Sequence, residues 1–256
     1  MSLVDRALGL ARSLVVYHAI PGRQRRMKRL YAHMVAPGDL VFDIGAHAGN
    51  RTRSLAALGC RVVALEPQPD FARLLRRLFA RAPRVTVVEA AVGRAAGTAT
   101  LAVSQRNPTV TTISSSWREA RTADPAFAGV EWNRSLEVPV TTLDDLIRQF
   151  GTPAFVKIDV EGAELEVLAG LPCAVALVSF EYLPQALDLV DACVARLTAL
   201  GPYQFNWSPG ETFALSSSAW ITGPELLSAL HTPDAQRSSG DVYARLAGRS
   251  TVLLRS

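Results

Sequence analysis

Short apolar runs alternate with amphipathic stretches through the first half of the chain. The runs 40–44, 61–65 and 85–88 predict buried strands, and the stretches 52–58 and 70–82 between them predict helices. Strands that alternate with helices in this way are typical of a parallel sheet covered on both faces. The pattern therefore predicts an α/β fold with a doubly wound, mostly parallel sheet.

The same alternation continues in the second half of the chain, although less regularly. The further strands expected are 97–103, 137–140, 154–158 and 175–180, with weaker candidates at 203–207, 212–215 and 242–246. The further helices expected are 142–150, 162–169 and 184–200. We expect seven of the strands to form one sheet.

Two segments do not fit the strand–helix alternation. Residues 1–36 predict an N-terminal helical extension with helices at 3–19 and 24–35, and residues 37–256 predict the α/β domain. Charges within the N-terminal apolar stretch favour an amphipathic helix over a signal peptide. Residues 104–135 are rich in Ser, Thr, Arg and Asn. A long polar insertion is either disordered or functional, and we expect this one to lie over a ligand cleft as a lid.

Composition excludes some classes of protein. With 256 residues, 49% of them hydrophobic, the chain suits one large domain. The formal net charge of +4 is small and scattered, and by itself it does not indicate nucleic-acid binding. No apolar run is long enough to span a membrane. The three cysteines are too far apart for a zinc site or a disulfide framework, so we expect reduced thiols and a cytoplasmic location.

Acidic residues follow four of the predicted strands, namely Asp43, Glu66, Glu89 and Asp159. Ligands of open parallel sheets bind at the carboxyl ends of the strands. Any one of these acids could be a surface residue, but four at the same edge predict a polar pocket.

The loop from Gly45 to Gly49 favours a cationic cofactor. Its pattern, with Asp43 two residues before Gly45, is Asp-x-Gly-x-x-x-Gly and not the Gly-x-Gly-x-x-Gly of dinucleotide enzymes. A pyrophosphate prefers a helix N-terminus without a nearby carboxylate, whereas S-adenosylmethionine carries an ammonium and a sulfonium. The alternative is a tight strand–helix turn that binds no ligand.

Glu66 is placed to accept hydrogen bonds from two ribose hydroxyls, which supports an adenosine-type ligand without distinguishing S-adenosylmethionine from NAD. Glu89 and Ala90 would lie near the adenine, although Glu89 could simply face solvent. The residues predicted to bind the cofactor are Asp43, Gly45, Ala46, His47, Gly49, Asn50, Glu66, Pro67, Glu89, Ala90 and Asp159.

The chain resembles the FkbM family of methyltransferases. The matching segments are Phe42–Asn50, Ala64–Pro67, Glu89–Gly93, Thr141–Leu146 and Val156–Glu164. The resemblance implies a class I, Rossmann-like methyltransferase fold and S-adenosyl-L-methionine as cofactor. It also implies an acceptor that is commonly an oxygen on a sugar, polyketide or other small metabolite.

A hydroxyl acceptor must lose its proton, so a general base is expected. The candidates are Asp159, Glu161 and Glu181, with Asp159 preferred because the end of its strand faces the transferred methyl group in this fold. Glu161 and Glu164 could instead cap the following helix. The three candidates together could also hold a divalent metal, although no metal is assigned.

The sequence therefore predicts an S-adenosylmethionine-dependent methyltransferase that acts on the oxygen of a small-molecule or glycan acceptor. We expect no nucleic-acid partner and no membrane span, and a homodimer is possible. The alternatives are transfer to nitrogen, RNA or protein, and a non-catalytic binding protein that kept the fold.

Overall fold

A seven-stranded sheet lies at the centre of the computed structural model, which describes residues 20, 22–104, 106, 108–122, 124 and 127–248. The predicted helix 3–19 lies outside the described residues. The ten strands are β1 Leu40–Ile44, β2 Arg61–Leu65, β3 Val85–Val88, β4 Ala91–Val92, β5 Gly97–Val103, β6 Arg134–Thr141, β7 Phe155–Ile158, β8 Leu177–Tyr182, β9 Tyr203–Pro209 and β10 Gly240–Leu246.

The central sheet has the strand order β3-β2-β1-β7-β8-β10-β9. Strands β3 to β8 in this order are parallel, and β10 runs antiparallel to both of its neighbours. The order reverses between β1 and β7, where Val41 pairs with Phe155 and Asp43 with Lys157. The predicted doubly wound, mostly parallel seven-stranded sheet is confirmed.

A second sheet of three strands, in the order β4-β6-β5, lies apart from the central one. The strand predicted at 97–103 is β5, and the strand predicted at 137–140 is the middle of β6. Of the three weaker strand candidates, 212–215 is not a strand. Phe213 adopts a φ of 52°, in the left-handed region, which interrupts an extended backbone.

Eight α-helices are found among the described residues. They are α1 Arg23–Ala32, α2 Asn50–Ala56, α3 Pro69–Leu78, α4 Ser115–Thr122, α5 Leu143–Phe150, α6 Glu164–Ala169, α7 Leu187–Leu200 and α8 Gly223–Leu230. Helix α3 shows why the local sequence is helical: Pro69 begins it, Asp70 lies in its first turn, and Arg76 and Arg77 lie in its last.

Alternate residues of each central strand pack into different cores. Phe42 and Ile44 belong to the larger core, together with residues of α5 to α8, whereas Val41 points to the opposite face. That second core also contains Leu30 and Tyr31 of α1. The described part of the N-terminal extension therefore shares a core with the sheet.

The polar segment 104–135 contains helix α4 and a short 3₁₀ helix, Pro108–Val110. Thr112 forms a bridge with Ala102 of β5, and the Thr112 hydroxyl donates a hydrogen bond of 2.7 Å to the carbonyl oxygen of Glu161. These contacts connect the segment to the residues that follow β7.

No described helix combines the length and the apolar character needed to cross a membrane. The three cysteines form no disulfide. Cys60 and Cys193 are buried and Cys173 is exposed.

Candidate active site

A cavity lies at the carboxyl ends of β1, β2 and β7. This is the edge of the sheet where the acids were expected. The predicted site residues that line it are Gly45, Ala46, His47, Asn50, Glu66, Pro67, Ala90, Asp159 and Glu161.

Gly45 joins the floor of this cavity to the loop that follows β7. Its φ is 79°, and a Cβ at this position would lie 1.9 Å from the carbonyl oxygen of Asp159. Only glycine allows this backbone approach. Gly45 thus sets the distance between the end of β1 and Asp159, the acid that follows β7.

Glu66 is buried at the end of β2, where two backbone groups fix its carboxylate. The N–H of His47 donates to Oε2 at 2.9 Å, and the N–H of Gln68 donates to Oε1 at 2.8 Å. Burial raises the pKa of Glu66 to about 7, although these two hydrogen bonds oppose the rise. Each oxygen keeps capacity to accept a further hydrogen bond from a ligand hydroxyl.

His47 forms part of the wall and is held by its aromatic neighbour. Its ring stacks on Phe71 with a centroid separation of 4.0 Å, and its φ is 46°. Burial lowers the pKa of His47 to about 4. The imidazole is therefore neutral at pH 7 and adds no positive charge to the cavity.

Asp159 belongs to a network of charged side chains that includes Arg51, Lys157 and Asp241. Arg51 lies 3.3 Å from Asp159 and 3.6 Å from Asp241, and Lys157 lies 2.7 Å from Asp241 and 3.9 Å from Asp159. Burial alone would raise the pKa of Asp241, but attraction to Lys157 and Arg51 outweighs it and the pKa is lowered. Asp241 thus stays charged and pairs with both cations.

Arg51 and Asp241 were missed by the sequence analysis. The position of Arg51 could have been recognised from the sequence, because a cation in the first turn of a helix opposes the helix dipole and needs a compensating anion. Asp241 lies on β10, 84 positions after Lys157, and nothing in its local sequence marks it.

Asp159, Glu161 and Glu181, the three predicted catalytic residues, lie close together. One carboxylate oxygen from each lies within 4.8 Å of those of the other two, and the group could hold a metal ion. Burial, followed by repulsion from neighbouring carboxylates, raises the pKa values of Glu161 and Glu181 well above the usual range. We call these three residues the acid cluster.

The chain reverses sharply after β7 to form the acid cluster. Glu161 and Gly162 have φ values of 54° and 91°, both left-handed. Glu164 accepts hydrogen bonds from the backbone N–H groups of Val160 and Gly162 at 3.3 and 3.2 Å. Glu164 therefore stabilises this turn from its place in the first turn of α6, and the N-cap residue of that helix is Ala163.

The polar segment supplies the remaining wall of the cavity. Its contribution consists of Thr109, Thr111, Thr112 and Ile113. Trp117 of α4 packs on Gly162 so closely that a Cβ there would lie 2.1 Å from the Trp117 ring. None of these wall residues was named as a cofactor ligand from the sequence.

Four predicted site residues lie off the main cavity. Asp43 is fully buried beneath the glycine loop and accepts a hydrogen bond from the Thr52 hydroxyl. Asp43 shares the strand face of Val41, so its side chain points towards the helices of that face and not into the cavity. Asp43 therefore supports the loop through Thr52 and lines no part of the described cavity.

Contacts with neighbouring residues explain why Gly49, Glu89 and Glu181 also lie off the main cavity. Gly49 faces α3, where a Cβ would lie 2.7 Å from Leu75. Glu89 pairs at the surface with Arg76 at 2.6 Å, so it lies at the solvent edge and not against the cavity. Glu181 lines a smaller neighbouring cavity of about 240 Å³.

The donors and acceptors of the main cavity fit S-adenosylmethionine. Glu66 offers acceptors for hydroxyl groups at the end of β2. Asn50 is 8% exposed, and its Nδ2 has no hydrogen-bond partner among the described residues. A buried amide donor without a partner suits a ligand carboxylate or ring nitrogen.

The strand order, the antiparallel β10 and this cavity define a class I S-adenosylmethionine-dependent methyltransferase. The family model described as the methyltransferase FkbM domain matches residues 43–190, which is more than half of the chain. The chain belongs to this family, and its cofactor is S-adenosyl-L-methionine.

Other similarities are shorter or more distant. The chain is 49% identical over 49 residues to the ribosomal RNA small subunit methyltransferase A of Synechococcus sp., which covers 19% of this chain and 17% of that protein.

Two solved structures match the chain at low sequence identity. The O-methyltransferase from Bacillus cereus in complex with SAH matches with 13% identity and a TM-score of 0.45, covering 93% of this chain and 90% of that one. The precorrin-6y C5,15-methyltransferase of Geobacter metallireducens matches with 16% identity and a TM-score of 0.44, covering 86% and 87%.

Proposed function

We propose that this methyltransferase acts on a hydroxyl oxygen of a small metabolite or sugar. The observation that carries the proposal is the continuity between the cavity and the acid cluster. Asp159 and Glu161 line the same cavity as Glu66. An acceptor hydroxyl beside these two carboxylates would therefore lie next to the cofactor.

The cofactor, when bound, supplies an electrophilic methyl group. The residues of the chain have to bind and orient it and to receive the proton of the acceptor. Glu66 and Asn50 would hold the nucleoside part, and Gly45 keeps the backbone clear. Fixing two reactants in one geometry can account for much of the acceleration of a displacement reaction.

We assign the proton-accepting role to Glu161 instead of Asp159, the residue first preferred. Asp159 pairs with Arg51 at 3.3 Å, and Lys157 lies 3.9 Å away, so its charge is already engaged. Glu161 forms no ion pair among the described residues and lines the cavity. Asp159 then acts mainly by holding Arg51 and shaping the wall.

The segment 108–122 is the lid of this proposal. Its threonines offer hydroxyl groups to an acceptor, and the Thr112 hydroxyl ties the segment to the backbone of Glu161. A movement of the turn that carries Glu161 would therefore also move this lid.

The experiment is a labelled-methyl assay against a panel of sugars, hydroxylated metabolites, amines and crude RNA. Once an acceptor is found, Glu161→Gln should lower kcat by about 100-fold or more, because general bases contribute about 10²–10⁴-fold. Its affinity for S-adenosylhomocysteine should stay within about twofold of the wild type. Glu166→Gln is the matched control, since Glu166 is exposed on α6 and pairs with Arg94. Label transfer to amines alone would refute the oxygen acceptor.

RNA is the second candidate acceptor. Helix α1 exposes Arg25, Arg26 and Arg29, a basic face that suits a phosphate backbone. The short similarity to a ribosomal RNA methyltransferase adds a reason to test it. Labelling of RNA in preference to every small molecule would replace the main proposal with this one.

A further inference from the structure

We propose that the acid cluster binds a divalent cation of the Mg²⁺ or Mn²⁺ class at the acceptor side of the cavity. The ligands are carboxylate oxygens of Asp159, Glu161 and Glu181. The role given to this cation in acceptor binding rests on the proposed function, whereas the binding itself does not.

The three carboxylates lie close enough together to share one cation. Asp159 and Glu161 follow β7, Glu181 belongs to β8, and the two strands are neighbours, with Ile158 paired to Phe180. One oxygen from each carboxylate lies within 4.8 Å of the others. Oxygens that share a cation at about 2.1–2.5 Å lie roughly 3–5 Å apart, so a small contraction would close this site.

The charge of the cluster is only partly compensated. Lys157 lies 2.7 Å from Asp241, and Arg51 lies between Asp241 and Asp159, so the two cations compensate Asp159 but, among the ion pairs of the described residues, pair with neither Glu161 nor Glu181. Clustered carboxylates repel one another in a partly buried position, and a hard dication with a preference for oxygen ligands removes that repulsion.

A buried donor that has no partner in the described part of the chain lies in the small cavity next to Glu181. Trp117 is 5% exposed, and its Nε1–H donates to no atom of the described residues. Trp117 and Glu181 line the same small cavity. An indole N–H can only donate, so this position needs an acceptor atom. An oxygen-bearing ligand held on a cation at Glu181 would supply that acceptor.

The cation would select acceptors that have two neighbouring oxygens, such as a vicinal diol or a hydroxy acid. It would keep positions open for such oxygens after binding three carboxylates. Asp159 and Glu161 line the main cavity as well, so oxygens on the cation would lie beside the cofactor. Each carboxylate gives only one oxygen to the cation, which leaves Glu161 a second oxygen for the proton.

The test uses Mn²⁺ alone, titrated into the full chain without cofactor or acceptor, with free Mn²⁺ measured by electron paramagnetic resonance. We expect one tight equivalent in the wild type. Glu161→Gln and Glu181→Gln should each weaken its binding by about tenfold or more, as loss of metal-site partners commonly does. The control Glu166→Gln should bind Mn²⁺ within about twofold of the wild type, because Glu166 lies outside the cluster and pairs with Arg94.

A second readout checks that the variants are folded. At a fixed Mn²⁺ concentration the thermal midpoint should rise clearly in the wild type and in Glu166→Gln and much less in Glu181→Gln, because the stabilisation falls as the Kd rises. Circular dichroism without metal should be the same for all of them.

Two results would overturn the inference: no Mn²⁺ binding by the wild type up to millimolar concentrations, or equal binding by the wild type and both cluster variants. A titration with S-adenosylhomocysteine on the same samples separates the two proposals. Cofactor binding without Mn²⁺ binding refutes the cation site alone, and Mn²⁺ binding without cofactor binding refutes the proposed function alone.

Discussion

The contact between Gly45 and Asp159 predicts that a single added methyl group will damage both stability and cofactor binding. In Gly45→Ala the new Cβ would lie 1.9 Å from the carbonyl oxygen of Asp159 and 2.9 Å from its carbonyl carbon. Both are backbone atoms, so no side-chain rotation relieves the overlap. The loops that follow β1 and β7 have to move apart, and these loops form the floor of the cavity.

Two costs add up in this variant. An L-residue in the left-handed region costs about 1–2 kcal/mol, and the φ of Gly45 is 79°. Forcing an extra carbon into a packed site costs about 1–3 kcal/mol more. We therefore expect the free energy of unfolding to fall by about 2–5 kcal/mol.

Gly38→Ala separates the two costs. Gly38 has a φ of 92°, but a Cβ there would meet nothing within 4 Å. This control should lose only the conformational part, about 1–2 kcal/mol, and should bind the cofactor normally. Urea unfolding measures the stabilities, and calorimetry with S-adenosylhomocysteine measures the affinities. Equal losses of stability in the two variants, with unchanged affinity in both, would refute the role assigned to the Gly45 contact.

Three further predictions concern other parts of the site. Below the Glu66 pKa of about 7, the affinity for S-adenosylhomocysteine should fall with decreasing pH, with a slope that approaches about tenfold per pH unit, because a protonated carboxyl accepts hydroxyl hydrogen bonds poorly. In Glu66→Gln, the affinity measured by calorimetry should not change between about pH 6 and 8. Asp241→Asn should lower the free energy of unfolding by about 3–5 kcal/mol in urea, since it leaves the buried Lys157 without its partner at 2.7 Å. A loss below about 1 kcal/mol would contradict that pairing. Gly162→Ala should displace Trp117 and shift indole emission to longer wavelength, and an unchanged spectrum would count against the packing of α4 on this turn.

Buried strands were the most predictable elements. The strands predicted at 40–44, 61–65, 85–88 and 97–103 have the predicted bounds. A short apolar run between turn residues has few alternatives to a strand in a sheet covered on both faces. Helix ends were less predictable: α2 begins at Asn50, directly after the left-handed Gly49, and not at 52.

The segment 104–135 was the least predictable part of the fold. Strands β5 and β6, which flank it, pair antiparallel over their whole lengths and form a sheet of their own with β4. Such pairing depends on partners distant in sequence, which local hydrophobic patterns do not reveal. Likewise, the burial of Trp117 depends on the bare backbone of Gly162, 45 positions later.

Strand alternation explains why Asp43 does not line the cavity and why Asp241 was overlooked. Side chains two positions apart on a strand share a face. Asp43 and Lys157 are paired in register, and Asp43 shares the face of Val41. Asp241 shares the face of Tyr243, which belongs to the same core. The sequence gives the alternation within each strand, but only the strand order brings β10 close enough for Asp241 to reach Lys157.

The pairing of Lys157 and Asp241 imposes a constraint that neither residue shows alone. Lys157 is fully buried, and removing one member of a buried ion pair is far more costly than replacing both members with apolar residues. A functional relative with an uncharged residue in place of Asp241 should therefore have lost the charge at Lys157 too. The double variant Lys157→Met/Asp241→Asn should accordingly unfold at higher urea than Asp241→Asn alone. If the double variant is the less stable of the two, the buried pair is not what links β10 to β7 across the intervening strand β8.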